Sequence, residues 1–284
     1  MPARKHDAIA NSLNMSTRCA SYWHRVVRSQ NRVREWGLMA APPLQVLFED
    51  NHCLALLKPA GLLSMGDATG DVSAVDLARD YLREKYDKPG NVFVGVVHRL
   101  DRPVSGVLLF ARTSKAASRL SEQFRKHSTR KVYHAVVEGR PPQKQGELVD
   151  WLVKSEASNV SRVAKQNLGA HERDHADGSK ESRLTYQCLK TIAGISLLEI
   201  DLQTGRSHQI RVQLSSRDMP ICGDTKYGSK SRLDGWLALH AASLTFEHPT
   251  RQESITVTAP HPTNWDRFRL TKTASSQEVS SQKR

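Results

Sequence analysis

Two short stretches of this 284-residue chain gather side chains able to do chemistry. The first is His98-Arg99-Leu100-Asp101-Arg102, followed by Pro103-Val104-Ser105-Gly106. It lies between two apolar runs, Val92 to Val97 and Val107 to Ala111, which places it on a loop at the end of a sheet. Asp101 is flanked by arginines, whose charge favours the ionised carboxylate. It reads as an ion-paired turn residue, or as a nucleophile or general base at the mouth of a cleft. The second stretch is Thr204-Gly205-Arg206-Ser207-His208-Gln209-Ile210-Arg211. Gly205 permits a tight strand-to-helix turn, after which His208, Arg211 and Val212 share one helix face. The N-terminus of a helix already carries positive partial charge, so cations there suit an anionic partner. That partner is a phosphate or a catalytic aspartate, and an arginine packed on the sheet is the plain alternative.

The surrounding pattern predicts the elements that must hold these stretches. Gln45 to Glu49 and Cys53 to Leu57 read as short strands around an Asp50-Asn51 turn. Val72 to Tyr86 has helical spacing, and Ser114 to Lys126 is an amphipathic helix with Ser114 as its N-cap. Lys131 to Glu138 alternates as a strand, Leu184 to Leu189 and Ile195 to Leu202 flank an Ala193-Gly194 hairpin turn, and Leu237 to Phe246 is a strand. Ser207 to Ser216 is a helix, and Gln166 to Glu181 a polar loop. Strands dominate without a βαβ rhythm. The expected fold class is α+β, with a mixed, mostly antiparallel sheet flanked by helices and loops.

Composition narrows the class of partner. The chain carries 42 Lys+Arg against 29 Asp+Glu, a formal net charge of +13. Residues 1–41 contribute +5 and residues 250–284 contribute +3. Within the body, Arg112, Lys115, Arg119, Arg125, Lys126, Arg130 and Lys131 are opposed only by Glu122. This basic stretch is either a solvated helix face or a polyanion-binding one. No run approaches the ~18 apolar residues of a membrane span. The four cysteines form no CxxC pair, which points to a reducing, cytoplasmic setting. Phosphate-loop, dinucleotide, GxSxG, HExxH and zinc-deaminase patterns are absent from the sequence, so a metal-free and cofactor-free site is expected.

The ordered motifs carry a resemblance. HRLDRPVSG at 98–106 resembles the signature loop of the RluA family of RNA pseudouridine synthases. Lys58-Pro59-Ala60-Gly61, the strand from Lys131 to Gly139, TGRSHQIRVQL at 204–214, Gly223 to Gly228, and Leu239-His240-Ala241 through His248-Pro249 follow in the family's order. The resemblance covers about residues 44–262. Gln213, where a histidine is common, and Pro103-Val104 are its mild departures. It implies a pseudouridine-synthase fold with a catalytic cleft across the sheet. The reaction implied converts uridine in ribosomal RNA or tRNA to pseudouridine, by breaking the N1–C1′ bond, turning the uracil and forming C5–C1′.

By the same resemblance Asp101 is the catalytic carboxylate, acting by covalent addition, by stabilising a cationic sugar or by taking a proton. Tyr133 stacks on the uracil and helps remove the C5 proton, and Arg211 pairs with the aspartate. Arg99 fills the space left by a flipped nucleotide, whose extrusion costs a few kcal/mol. Candidate RNA contacts are His98, Arg99, Arg102, Lys115, Arg119, Arg206 and His208. The expected organisation is a basic, flexible segment over 1–43, a catalytic domain over 44–265 and a flexible polar tail over 266–284, working as a monomer. For residues 1–38 a transit peptide and an early start codon are both open. A catalytically silent RNA-binding protein and a two-carboxylate hydrolase are the competing classes; for the second, Asp224 is the nearest further carboxylate.

Overall fold

The computed structural model describes residues 44–155, 160–164 and 178–270. The expected N-terminal segment, the tail from residue 271 and the greater part of the expected 166–181 loop lie outside the described residues.

Among the described residues eleven strands form one open mixed sheet, in the order β1-β2-β4-β10-β5-β9-β8-β6-β7. The strands are β1 Gln45–Glu49, β2 Cys53–Lys58, β3 Gly95–Val96, β4 Ser105–Ala111, β5 Arg130–Glu138, β6 Gln145–Ser155, β7 Val160–Val163, β8 Lys180–Ile192, β9 Ile195–Leu202, β10 Leu239–Glu247 and β11 Ser254–Thr258. β3 pairs with β4 and β11 with β10. Among the described strands every ladder is antiparallel except β4 with β10, which meet in parallel only at Ser105–His240 and Gly106–Ala241. Gly106 makes this junction possible. Its φ is 124°, and a Cβ there would sit 2.3 Å from the Ala241 carbonyl oxygen. Only glycine takes that conformation without strain.

The two faces of the central strands bury separate cores. Leu54, Leu56, Leu108 and Phe110 face a large core that takes Val75, Leu77, Ala78 and Leu82 of helix α1, Ala74–Lys85. Cys53, Ala55, Val107 and Leu109 face the opposite way and receive Ala116 and Leu120 of α2, Ser114–Arg125. This is the period-two alternation of a sheet covered on both sides. α1 begins with a capping box between Ser73 and Asp76. α2 is capped by Thr113, whose Oγ1 accepts the Ala116 N–H at 3.1 Å, so the expected Ser114 cap is instead the first helical residue.

Other expectations shift for local reasons. The run Val92 to Val97 forms only the two-residue β3. The third helix, α3, is Gln209–Ser215, two residues later than expected, because His208 takes the left-handed φ of 55°. Ala193 and Gly194 do take positive φ, 49° and 81°, between β8 and β9. The folded body runs past the expected limit at 265. Trp265 is fully buried and stacked on His261, within a 3-10 turn over Thr263–Phe268, and Leu270 packs behind it.

Candidate active site

A cavity of about 100 Å³ lies where the loop before β4 meets β5, the end of β9 and the turn into α3. Arg99, Asp101, Tyr133, Arg206, His208 and Arg211 line it, with apolar walls from Leu100, Val104, Leu202, Ile210 and Leu239. The sequence therefore places both chemical stretches around one space.

The Asp101 loop is fixed from below. Ser64 Oγ donates to the Leu100 carbonyl at 2.7 Å and accepts the Leu100 N–H at 3.0 Å. Gly61 N–H donates to the Arg102 carbonyl at 2.7 Å. Lys58, 1% exposed, donates from Nζ to the carbonyls of Leu62, Pro59 and Arg102 at 2.7, 3.0 and 3.2 Å. Burial pushes the Lys58 ammonium down to about 7, while the Asp101 carboxylate pulls it upward. Three acceptors match the three N–H groups of the lysine, which ties the KPxG turn to the loop.

Arg211 is the centre of charge. Its Nε and Nη2 donate to Asp224 at 2.6 and 2.9 Å, and its Nη1 reaches Asp101 Oδ2 at 3.3 Å. Its guanidinium also lies over the Tyr227 ring, 4.9 Å from the centroid. Burial disfavours the charge of Arg211, but the hydrogen bonds and charge of Asp224, with Asp101 adding, outweigh it and raise its pKa. Asp224 is 1% exposed, so this is a buried, forked ion pair holding the arginine against the Asp101 carboxylate. The two arginines that flank Asp101 in sequence do not touch its carboxylate.

Tyr133 sits on β5 opposite Ala241 of β10 and Ile200 of β9. Burial and then the Asp101 charge push its phenol pKa up, so the hydroxyl stays protonated. Arg99 is exposed and has no hydrogen-bond or ion-pair partner among the described residues. Arg206 lines the cavity while its Nε donates to the Glu181 carbonyl at 3.0 Å.

Four expected RNA contacts stand elsewhere. His98 Nε2 accepts the Leu109 N–H at 2.9 Å and its ring stacks on Phe124 at 4.6 Å. Burial, with Lys131 adding, lowers its pKa to about 3, so it is a neutral strut. Arg102 turns away from the cavity to the Gly61 carbonyl and to Asp71, both at 3.0 Å. Lys115 and Arg119, on α2, are not among the residues that line the cavity. Ala117 sits against Gly95, Phe124 stacks on His98, and Gln123 bonds Glu247 at the end of β10, so the helix packs beside the sheet without lining the cavity. Arg119 is engaged with the Pro249 carbonyl beyond β10. Lys58, Asp224 and Tyr227 belong to recognised motifs, yet their roles depend on partners distant in sequence.

One other group gathers metal-ligand atoms among the described residues: Asp50, His52 and His248, within 4.8 Å. His248 Nδ1 accepts the Arg251 N–H at 3.0 Å, and its Nε2 lies 2.7 Å from Asp50 Oδ2. That tautomer spends Nε2 as a donor, and Arg251 pairs with the same carboxylate at 3.3 Å. These bonds make the group a turn lock rather than an open ligand set.

Comparison with known proteins agrees with this geometry. Residues 52–216 match the family described as RNA pseudouridylate synthase. The tRNA pseudouridine synthase C of Haemophilus ducreyi is 34% identical over 244 residues, spanning 78% of this chain and 93% of that one. The ribosomal large subunit pseudouridine synthase D of Zymomonas mobilis is 34% identical over 233 residues, covering 78% and 70%. The solved human RNA pseudouridylate synthase domain containing 4 shares the fold, with a TM-score of 0.66, 20% identity and coverage of 91% and 98%. The chain belongs to the RNA pseudouridylate synthase family, of the RluA type, whose members are isomerases that convert uridine in RNA to pseudouridine. Its mixed α+β fold is the one the motifs imply. Among the described residues no helix is long and apolar enough to cross a membrane.

Proposed function

We propose that this chain converts specific uridines of ribosomal RNA or tRNA to pseudouridine, with Asp101 as the reacting carboxylate. The observation that carries the reading is the convergence of Asp101, Tyr133 and Arg211 on one cavity. A target uridine is turned out of its helix into that space, and Arg99 enters the vacated position. Asp101 acts on the ribose or on the base as the N1–C1′ bond breaks. The uracil then turns against the Tyr133 ring and C5 joins C1′. The C5 proton leaves last, the Tyr133 phenol taking it as it hands its own proton to water, and N1, released from the ribose, takes up a proton. No electron leaves or enters the substrate, and no group is donated. Arg206, which lines the same cavity, meets a phosphate of the RNA.

The test is tritium release from C5-labelled RNA. Purified chain incubated with labelled 23S ribosomal RNA and with labelled tRNA should release tritium to water from at least one of them. Pseudouridine mapping in RNA from a deletion strain then assigns the site. Binding of both RNAs without tritium release would contradict the reading.

A further inference from the structure

We propose that His208 is a positioning residue for Asp101, aiming its Nε2–H at carboxylate oxygen Oδ2 so that Oδ1 is left for the substrate. The inference rests on the reading of Asp101 as the reacting carboxylate. It replaces the expectation that His208 touches RNA.

The protonation pattern follows from a chain of contacts. Tyr227 OH accepts the Ser161 N–H at 2.9 Å and lies 2.8 Å from His208 Nδ1. A backbone N–H can only donate, and among the described residues Nδ1 is the acceptor available to the hydroxyl hydrogen. Nδ1 is therefore the bare nitrogen, and the hydrogen of the neutral ring is on Nε2. Nε2 stands 3.7 Å from Asp101 Oδ2, the same oxygen that Arg211 Nη1 approaches at 3.3 Å. Oδ1 meets no donor among the described residues. The two oxygens of the carboxylate thus have different surroundings before substrate enters.

His208 is also held there at a cost. It is the only residue of the 204–211 segment in the left-handed region, at φ 55° and ψ 21°, a conformation that strains a non-glycine residue. The neighbouring turn is locked independently: Thr204 Oγ1 donates to Gln209 Oε1 at 2.8 Å, and the Arg206 N–H donates to the same oxygen at 3.0 Å. The side chain of His208 is only 9% exposed, which leaves little of it for an RNA backbone. Facing it are Asp101, Arg211, Asp224, Lys226 and Tyr227. Burial, with Arg211 and Lys226 adding, lowers its pKa against the pull of Asp101 and Asp224. The neutral form of its ring is thereby favoured.

Three variants of the full chain test this with C5-tritiated RNA, by single-turnover rate and filter-binding Kd. His208→Ala should slow the single-turnover rate ~10- to 100-fold and leave the RNA Kd within about twofold. His208→Gln, whose amide N–H falls near the Nε2 position, should recover most of that rate. Tyr227→Phe removes the hydrogen given to Nδ1 and frees that nitrogen to take a proton. It should shift the acid limb of the rate profile to higher pH, and the shift should vanish in the His208→Gln background. A raised Kd with an unchanged rate, or equal rates for Ala and Gln, would overturn the proposal. Gln and Tyr227→Phe keep the test decisive if the Ala variant unfolds. An inactive Asp101→Asn beside wild-type His208 variants would sink this inference alone; an active Asp101→Asn would sink the reading beneath it.

Discussion

Arg211 serves two carboxylates at once, and this sets what each residue of the site can do. Asp224 holds its fork at 2.6 and 2.9 Å, which leaves Nη1 for Asp101 at 3.3 Å. The charge on Asp101 is thereby matched in the buried wall while one oxygen stays free. Tyr133 contributes a ring and a protonated hydroxyl, and these are separable. Tyr133→Phe should bind RNA with unchanged Kd yet lose ~10²-fold or more in tritium release, because stacking survives and the proton relay does not. Wild-type release would leave Tyr133 a packing role only. At this scale the meeting of Asp101, Tyr133 and Arg211 on one cavity was legible, because ordered motifs carry all three. Asp224 was legible only as a spare carboxylate, since nothing local to it shows that its partner lies thirteen residues away in α3. His98 and Arg102 misled because a charge or ring in a motif does not show which way it points.

At the scale of elements, the site depends on a single parallel contact in an otherwise antiparallel sheet. Gly106 lets β10 approach β4 just after the Asp101 loop. Gly106→Ala should cost ~3 kcal/mol or more, read as a lower urea midpoint, since the new methyl meets backbone 2.3 Å away. An unchanged midpoint would show that β10 can shift. The basic helix was legible as a helix but not in its orientation. Neither Lys115 nor Arg119 of this helix lines the cavity, and Arg119 is engaged with the Pro249 carbonyl. The remaining cations near its end, Arg125 and Lys126, both pair with Glu122. Lys115→Ala with Arg119→Ala should therefore leave the salt dependence of RNA binding unaltered. Arg99→Ala with Arg206→Ala should flatten the log–log slope by ~1.5. The reverse pattern would move the RNA path onto α2. β6 escaped sequence reading because its inward face carries Asp150, made acceptable by Gln213 and Arg217 at 2.8 Å each. A buried carboxylate breaks the apolar alternation that reveals a strand.

At the scale of the molecule, several histidines are packed in and around the sheet in neutral form. His240 is fully buried, with Nδ1 2.8 Å from Ser105 Oγ and Nε2 without a hydrogen-bond partner. Burial, with His261 adding, lowers it to about 3, and His98 is lowered to about 3 by burial with Lys131. His134 and His261 shift the same way, first through burial. An unfolded histidine titrates near ~6.5, so below that pH the unfolded chain binds protons that the folded chain refuses. The contribution is fully present above pH ~7 and is lost as pH falls toward the folded values. Each such histidine adds up to ~1.4 kcal/mol per pH unit. The urea midpoint should fall steadily from pH 6.5 to 4.5, and a midpoint that rises on acidification would contradict these placements. The strand-rich α+β class was legible from the sequence. The extension of the core to Trp265 and Leu270 was not, because the polar residues between them hide a stacked and buried anchor.

The central claim is that Asp101 reacts, and one comparison tests it most directly. Asp101→Asn keeps the size of the side chain and its hydrogen bonding but removes the charge and the nucleophile. The variant should melt with the wild type within a few degrees and bind the same RNA with similar Kd. Its tritium release should fall by ~10³-fold or more. Release within a few fold of wild type, from a folded and RNA-bound Asp101→Asn protein, would contradict the account.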